Sequence, residues 1–387
     1  MAFTLRPAIG ENFFNREKVV REIIRTLTNP HLQMGFALIG PRRMGKTSIL
    51  KEVSRKLNQA KNVVVIYFSL WDLVENTLCE FSREITEEIL NAFKREFAVK
   101  HKISQIVKVS RDKIYTFLKT LGIHIRVMDE IEIEFTRKEK PLNANYLIER
   151  IFRLVEELSQ EFGVRSILII DEFPSLIEMK NGKRIGEGVI RKIRTIQEDL
   201  QNTILCISGS IRKTMEIVTL SPSSPFYRQF IVKNIGPLDK TSIEELLRKN
   251  LHKGITPPAI DRLYELTKGI PFYVQFIGRC LEKREEKKIN EDTINKSFYE
   301  MLREEGNIIF TEEFYKFSEK ERLLLKVMGA EGIKRLNKLC VKIGENPNIV
   351  SKTLEHLINK GAVYRESEGI YKIVDSVFAE WIKFRFR

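Results

Sequence analysis

Gly40-Pro41-Arg42-Arg43-Met44-Gly45-Lys46-Thr47 fits the pattern G-x-x-x-x-G-K-[ST], and the chemistry this spacing serves is phosphate binding. Its two glycines let a backbone close tightly around phosphate oxygens, and the N–H groups of the loop and of the following helix then face the anion. In that arrangement Lys46 reaches the β- and γ-phosphates, Thr47 offers a hydroxyl to Mg²⁺, and Ser48 closes the loop at Gly40–Ser48. A second constellation, Ile167-Leu168-Ile169-Ile170-Asp171-Glu172, is an apolar run ending in two carboxylates. As a buried strand it delivers Asp171 and Glu172 to the mouth of a parallel sheet, where phosphates bind. Asp171 is the expected magnesium partner, through water, and Glu172 the expected general base for an attacking water. On its own such a run marks only a strand end; behind a phosphate loop it is the second half of an ATP-hydrolysing site.

Two further residues have open roles. Ser208 ends the apolar run 204–207, and its hydroxyl either reads the γ-phosphate and water or simply caps a strand. Arg228 is either a counter-charge for the γ-phosphate, in cis or across an interface, or a solvated surface arginine.

The elements that must position these groups alternate between strand and helix, as in an α/β domain. Apolar runs at Gly35–Ile39, 63–68, 166–170 and 203–208 read as strands. Segments 46–58, 76–97, Ala144–Phe162 and 188–200 read as helices. Residues 123–135 differ: Ile123, Ile125 and Val127 alternate with polar residues, as do Ile131, Ile133 and Phe135 after a short polar turn. This is a hairpin signature, carried by an insertion at about 94–140. The expected organisation is an ATPase core over 1–236, a helical lid over 237–308 and a third unit over 309–387. In that unit helical runs at 319–328, 333–343 and 348–360 precede strand-like runs at 362–364 and 370–374. Three helices and a hairpin make the order of a winged helix, whose third helix enters a DNA major groove or docks a protein. Asn348, Ser351, Lys352 and His356 are the candidate contacts on that helix.

The 387 residues carry 43% hydrophobic and 30% charged side chains, the balance of a folded chain of two or three domains. No apolar run approaches the roughly 20 residues of a membrane span. No apolar signal core opens the chain either, so a cytoplasmic protein is expected. Cysteines at 79, 206, 280 and 340 have no metal-ligand spacing, and Cys206 reads as a buried thiol. The net charge of +14 fits either a polyanionic partner or a Lys/Glu-rich thermophile surface. Residues 312–387 hold 15 Lys/Arg against 11 Asp/Glu, a modest surplus. Residues 94–119 hold eight basic residues against Glu96 and Asp112. Lys100, Lys102, Lys108 and Arg111 are therefore candidate nucleic-acid contacts.

Together these motifs resemble the archaeal ATPase family within the STAND branch of AAA+ proteins. Phe13-Phe14-Asn15-Arg16-Glu17 looks like its aromatic-x-Arg-Glu box, so the resemblance places Phe14 and Arg16 near the adenine. Ser208-Gly209-Ser210 resembles its sensor strand end. Ser224-Pro225-Phe226-Tyr227-Arg228 resembles its SPLYGR-type motif, one residue shorter before the arginine. Lys268-Gly269-Ile270-Pro271 resembles the lid turn whose proline faces nucleotide. The hairpin looks like an insertion that some members carry. The resemblance implies a P-loop NTPase of the AAA+/STAND type with lid and winged helix, binding ATP or ADP with Mg²⁺. It further implies a regulatory switch, with DNA or a protein as partner. Two other readings stay open: a DNA-dedicated AAA+ protein resembling archaeal replication initiators, and a non-hydrolysing module in which nucleotide is structural.

Overall fold

The computed structural model describes residues 3–100, 123–127, 131–135, 143–210, 226 and 229–386, with the backbone alone at 96–100, 123–127, 131–135 and 305. Its centre is a parallel sheet. The strands β1 (Gly35–Ile39), β2 (Val63–Ser69), β5 (Arg165–Asp171), β8 (Thr203–Gly209) and β9 (Phe230–Asn234) lie in the order β2-β5-β8-β1-β9. The numbers between belong to short hairpins, β3 (Ile123–Val127) with β4 (Ile131–Phe135), and β6 (Lys180–Asn181) with β7 (Lys183–Arg184). Thus the strands, the hairpin at 123–135 and the α/β class expected from periodicity are all present.

Every residue of β1 and β8 is buried, because helices cover both faces. Alternate side chains divide between them. Phe36, Leu38, Ile167, Ile169 and Cys206 join one apolar cluster with α1 (Glu17–Leu27) and α2 (Lys46–Leu57). Ala37, Ile39, Leu168, Ile170 and Ile207 join the other with α3 (Leu78–Lys100), α4 (Ala144–Phe162) and α5 (Gly186–Gln197). Burial raises the Cys206 thiol to about 12, so it is a packing residue rather than a nucleophile.

The first cluster continues beyond the sheet. It takes in α6 (Lys240–Asn250), α7 (Pro257–Thr267), α8 (Pro271–Lys283) and α9 (Glu291–Arg303), with a two-residue parallel pair, β10 (Gly254–Ile255) and β11 (Lys288–Ile289). The N-terminal segment ties these helices to the core. Phe3 packs against Gly278 of α8, Thr4 N–H donates to Gln275, and Ala8 N–H donates to Ser48 Oγ of α2.

The last part holds α10 (Glu305–Tyr315), α11 (Glu319–Ala330), α12 (Leu336–Ile343) and α13 (Pro347–Asn359). The antiparallel pair β12 (Val363–Ser367) and β13 (Ile370–Ile373) and then α14 (Ser376–Phe386) complete it. Two differences from the sequence reading have physical causes. The second helix begins at Leu336 rather than 333, because Lys334 O accepts from Tyr371 N–H and Arg335 bridges Ile370, extending the chain beside the hairpin. The helix α14, absent from the sequence reading, folds back so that Val377, Phe378, Trp381 and Ile382 are buried, with Trp381 stacked on Phe378. In α10, Phe310 and Phe314 meet Trp381.

Candidate nucleotide site

Between β1 and α2 the chain turns through two backbone conformations that few residues adopt. Gly45 sits at φ +84° just before the helix, where a side chain would be strained. Gly40 approaches Ile235 so closely that an added Cβ would meet its carbonyl oxygen at 2.2 Å. Lys46, Thr47 and Ser48 form the first helical turn, whose N–H groups lack intrahelical partners, and among the described residues they donate to no other protein group. The result is a ring of free donors at a helix N-terminus, the arrangement an anion seeks.

Lys46 is 5% exposed and lies across this ring, its Nζ donating to the carbonyls of Gly40 at 2.8 Å and Pro41 at 2.9 Å. Burial lowers its pKa, while Glu172 and Asp171 pull the other way. Asp171, at the end of β5, is 2% exposed and accepts four hydrogen bonds. Its Oδ2 takes Thr47 Oγ1 and the Tyr67 hydroxyl, both at 2.8 Å. Its Oδ1 takes the Ser208 hydroxyl and the Glu172 N–H. Ser208 lies on the strand beside Asp171 and bonds to that carboxylate. Glu172 follows at φ +54° with Oε2 held by Ser210, whose hydroxyl donates at 3.0 Å. Its burial raises the carboxyl pKa, against the opposing charge of Lys46.

Lys46, Thr47 and Glu172 open onto a cleft of about 460 Å³ lined by Arg42–Ser48 and Glu172 together with Phe14, Arg16, Pro271 and Gln275. Arg16 donates to Gly236 O at 2.5 Å, which anchors the stretch after β9 to the entry segment. Lys249 lies 5.2 Å from the Phe14 ring. Phe14 and Arg16 of the entry segment, the phosphate loop, Glu172 and Pro271 thus line one cleft.

Arg43 is the unexpected member. It holds φ +69° without being glycine, and its guanidinium leaves the loop toward the C-terminal helices. It pairs with Glu313 of α10 at 2.8 Å and with Asp375, just before α14, at 2.7 Å. The rings of Phe272, Tyr273 and Phe310 surround it at 5.2–5.8 Å from their centroids, and the Tyr273 hydroxyl donates to the same Asp375. Although burial opposes the charge, Tyr273, Asp375 and Glu313 more than offset it, and the pKa rises.

The sequence reading missed Tyr67, Glu313 and Asp375, and named Ser210 only within the sensor-strand resemblance. Only sheet adjacency could have signalled Tyr67, since β2 and β5 pair with Ser69 opposite Asp171. Arg228 lies outside the described residues, as do Lys102, Lys108, Arg111 and the side chain of Lys100; Phe226 of the same motif is buried against Phe173 and Phe230. On α13, Asn348, Lys352 and His356 are exposed along one face and Ser351 is half-buried, but Glu355 shares that face.

A family model described as an ATPase domain predominantly from Archaea matches residues 13–277. The chain belongs to this family. An uncharacterised ATP-binding protein of Methanocaldococcus jannaschii is 26% identical over 201 residues, about half of each chain. Among solved structures, a Walker-type ATPase of Pyrococcus abyssi superposes with a TM-score of 0.69 at 21% identity, covering 99% of this chain and all of that one. The ORC2 protein of Aeropyrum pernix, in its ADPNP-ADP complexes, gives 0.55 at 14% identity, covering 99% and 96%. The ORC1 protein of the same organism, in complex with DNA, gives 0.51 at 13%, covering 98% and 95%. At these identities the likeness is one of fold: a P-loop NTPase core, with the parallel α/β sheet described above. Among the described residues no helix is long and apolar enough to cross a membrane.

Proposed function

We propose that this archaeal-type ATPase domain hydrolyses ATP and couples the state of its phosphate loop to the helices that follow the lid, as a STAND-type switch. The observation that carries hydrolysis is the convergence of Lys46, Thr47, Asp171 and Glu172 at one end of the sheet. The amides of the loop and Lys46 bind the phosphates. Thr47 and Asp171 are oxygen donors suited to Mg²⁺, a hard cation that keeps several waters and needs few protein ligands. When bound, Mg²⁺ would neutralise charge on the phosphate oxygens. Glu172 takes the proton of the attacking water, and Ser208 keeps Asp171 turned toward Thr47. Phe14, Arg16 and Pro271 line the end of the cleft that takes the base, and Arg228 remains a candidate counter-charge on the strength of its motif.

The coupling reading rests on Arg43. One arginine of the phosphate loop is held by two carboxylates of the C-terminal part, Glu313 in α10 and Asp375 just before α14, so phosphate and those carboxylates act on the same charge. Linkage makes such coupling reciprocal. Asp375→Asn leaves the cleft lining intact while weakening the contact, and is expected to tighten ATP binding about fivefold or more. It should also lower hydrogen-exchange protection of 305–315 and 376–386. Unaltered ATP affinity together with unaltered protection would sink the coupling.

The hairpin β12–β13 behind α13 has the order of a winged helix, and we assign 309–387 to that class, after a core over 1–236 and a lid over 237–308. A DNA-dedicated role is the second reading, favoured by the exposed Asn348, Lys352 and His356 and by the basic stretch at 94–119. ATP turnover measured with and without duplex DNA at two salt concentrations separates the two. Salt-sensitive stimulation by DNA supports the second reading, and indifference supports a switch with a protein partner.

A further inference from the structure

Asp171 is closed in by donors from four elements. Thr47 comes from α2, Ser208 from β8, the Glu172 amide from its own chain, and the Tyr67 hydroxyl from β2. The first three belong to motifs already read as parts of the nucleotide site. Tyr67 belongs to none of them, and the phosphate loop does not need its ring. Yet its hydroxyl lies 2.8 Å from Oδ2, the same oxygen that receives Thr47.

We propose that Tyr67 is a positioning residue for the Thr47–Asp171 pair, holding the carboxylate in the orientation that accepts a divalent cation. This rests on the reading of Thr47 and Asp171 as the cation's protein partners. The geometry is fixed from outside the pair. Strand β2 runs parallel to β5 in unbroken register from Val63 opposite Arg165 to Ser69 opposite Asp171. The Leu70 N–H then donates to the Asp171 carbonyl at 3.1 Å. The tyrosine backbone and the aspartate backbone are therefore locked to each other by the ladder, and the phenol spans the remaining distance. Ser208 of β8 and the Glu172 amide hold Oδ1, whereas Thr47, the other donor to Oδ2, sits on a different element at the start of α2. Adding the phenol pins Oδ2 to the sheet. Lys51 of α2, with its ammonium 5.5 Å from the Tyr67 ring, holds the ring over that helix.

Outer partners of this kind orient ligating oxygens without touching the ion, and their effect is read in cation dependence rather than in nucleotide affinity. Tyr67→Phe keeps the ring and removes only the hydroxyl. ADP binding to the full chain, measured by calorimetry in EDTA, is expected to be unchanged. The Mg²⁺ concentration that half-saturates the metal-linked gain in ADP affinity is expected to rise about ten- to a hundredfold, and that for ATP turnover with it. Saturating Mg²⁺ should then restore most of the turnover. Wild-type Mg²⁺ dependence in the variant would overturn the proposal. Equal loss of ADP affinity in EDTA would do the same, by assigning the hydroxyl to the fold. If the unsubstituted protein shows no Mg²⁺-linked gain at all, the reading of Thr47 and Asp171 fails, and Tyr67's role goes with it.

Discussion

Replacing Lys46 by alanine is expected to cut ATP affinity by a hundredfold or more, which corresponds to about 2.8 kcal/mol or more. The size follows from where the ammonium sits. It is 5% exposed, and its two hydrogen bonds go to carbonyls of the loop it closes, Gly40 and Pro41. Behind it lie Asp171 and Glu172, whose charges act on it in the direction opposite to burial. Truncation therefore does two things at once. It removes the cation that meets the phosphates, and it leaves two buried carboxylates facing an incoming polyanion. Equilibrium ATP binding checks the prediction, with circular dichroism to establish that the variant folds. Unchanged affinity in a folded variant would remove the loop from the nucleotide reading altogether. Lys46→Arg is the informative control: it keeps the charge but not the compact ammonium, which alone can reach both carbonyls from within the loop.

How much of this was legible beforehand depends on whether the information is local. Gly40, Gly45, Lys46 and Thr47 lie within eight residues, so their spacing specifies a turn and a helix start without reference to anything else. Asp171 and Glu172 are legible because a run of apolar residues has only one common reason to end in two carboxylates behind such a loop. Ser208 needed one assumption, that its strand lies beside β5, and the sheet order supplies it. Tyr67 needed the other neighbour of β5, and no local signal separates it from any aromatic in a buried strand. Arg43 is harder still. Its partners are 270 and 332 residues away, and the pairing depends on how α10 and the start of α14 fold against the loop. The missed helix α14 belongs to the same difficulty. Its aromatic and β-branched residues are weak helix formers, and packing against Phe310, Phe314 and α11 decides the conformation.

Glu172→Gln should separate binding from chemistry. The amide has nearly the shape of the carboxylate, so an oxygen can still accept from Ser210, where Oε2 now accepts at 3.0 Å from the hydroxyl and 3.4 Å from the backbone N–H. The strained backbone at φ +54° is unchanged by a side-chain substitution beyond Cβ, and the neighbouring Asp171 keeps its own donors. What disappears is basicity. Burial makes the Glu172 carboxylate a stronger proton acceptor than an exposed one, since its pKa is raised, and an amide has no comparable capacity. Turnover is expected to fall by about two to four orders of magnitude, the usual contribution of a positioned general base, while ATP affinity holds or improves with one less buried negative charge near the phosphates. Single-turnover hydrolysis beside equilibrium binding provides the measurement. Turnover at the parental rate would leave Glu172 as a structural carboxylate and move the search for the base to Ser208, Ser210 or a residue beyond the described part of the chain. Loss of both ATP binding and turnover would mean that the charge, and not the proton transfer, is what the site requires at this position. Only the split result, with ATP bound and not consumed, assigns the proton to Glu172.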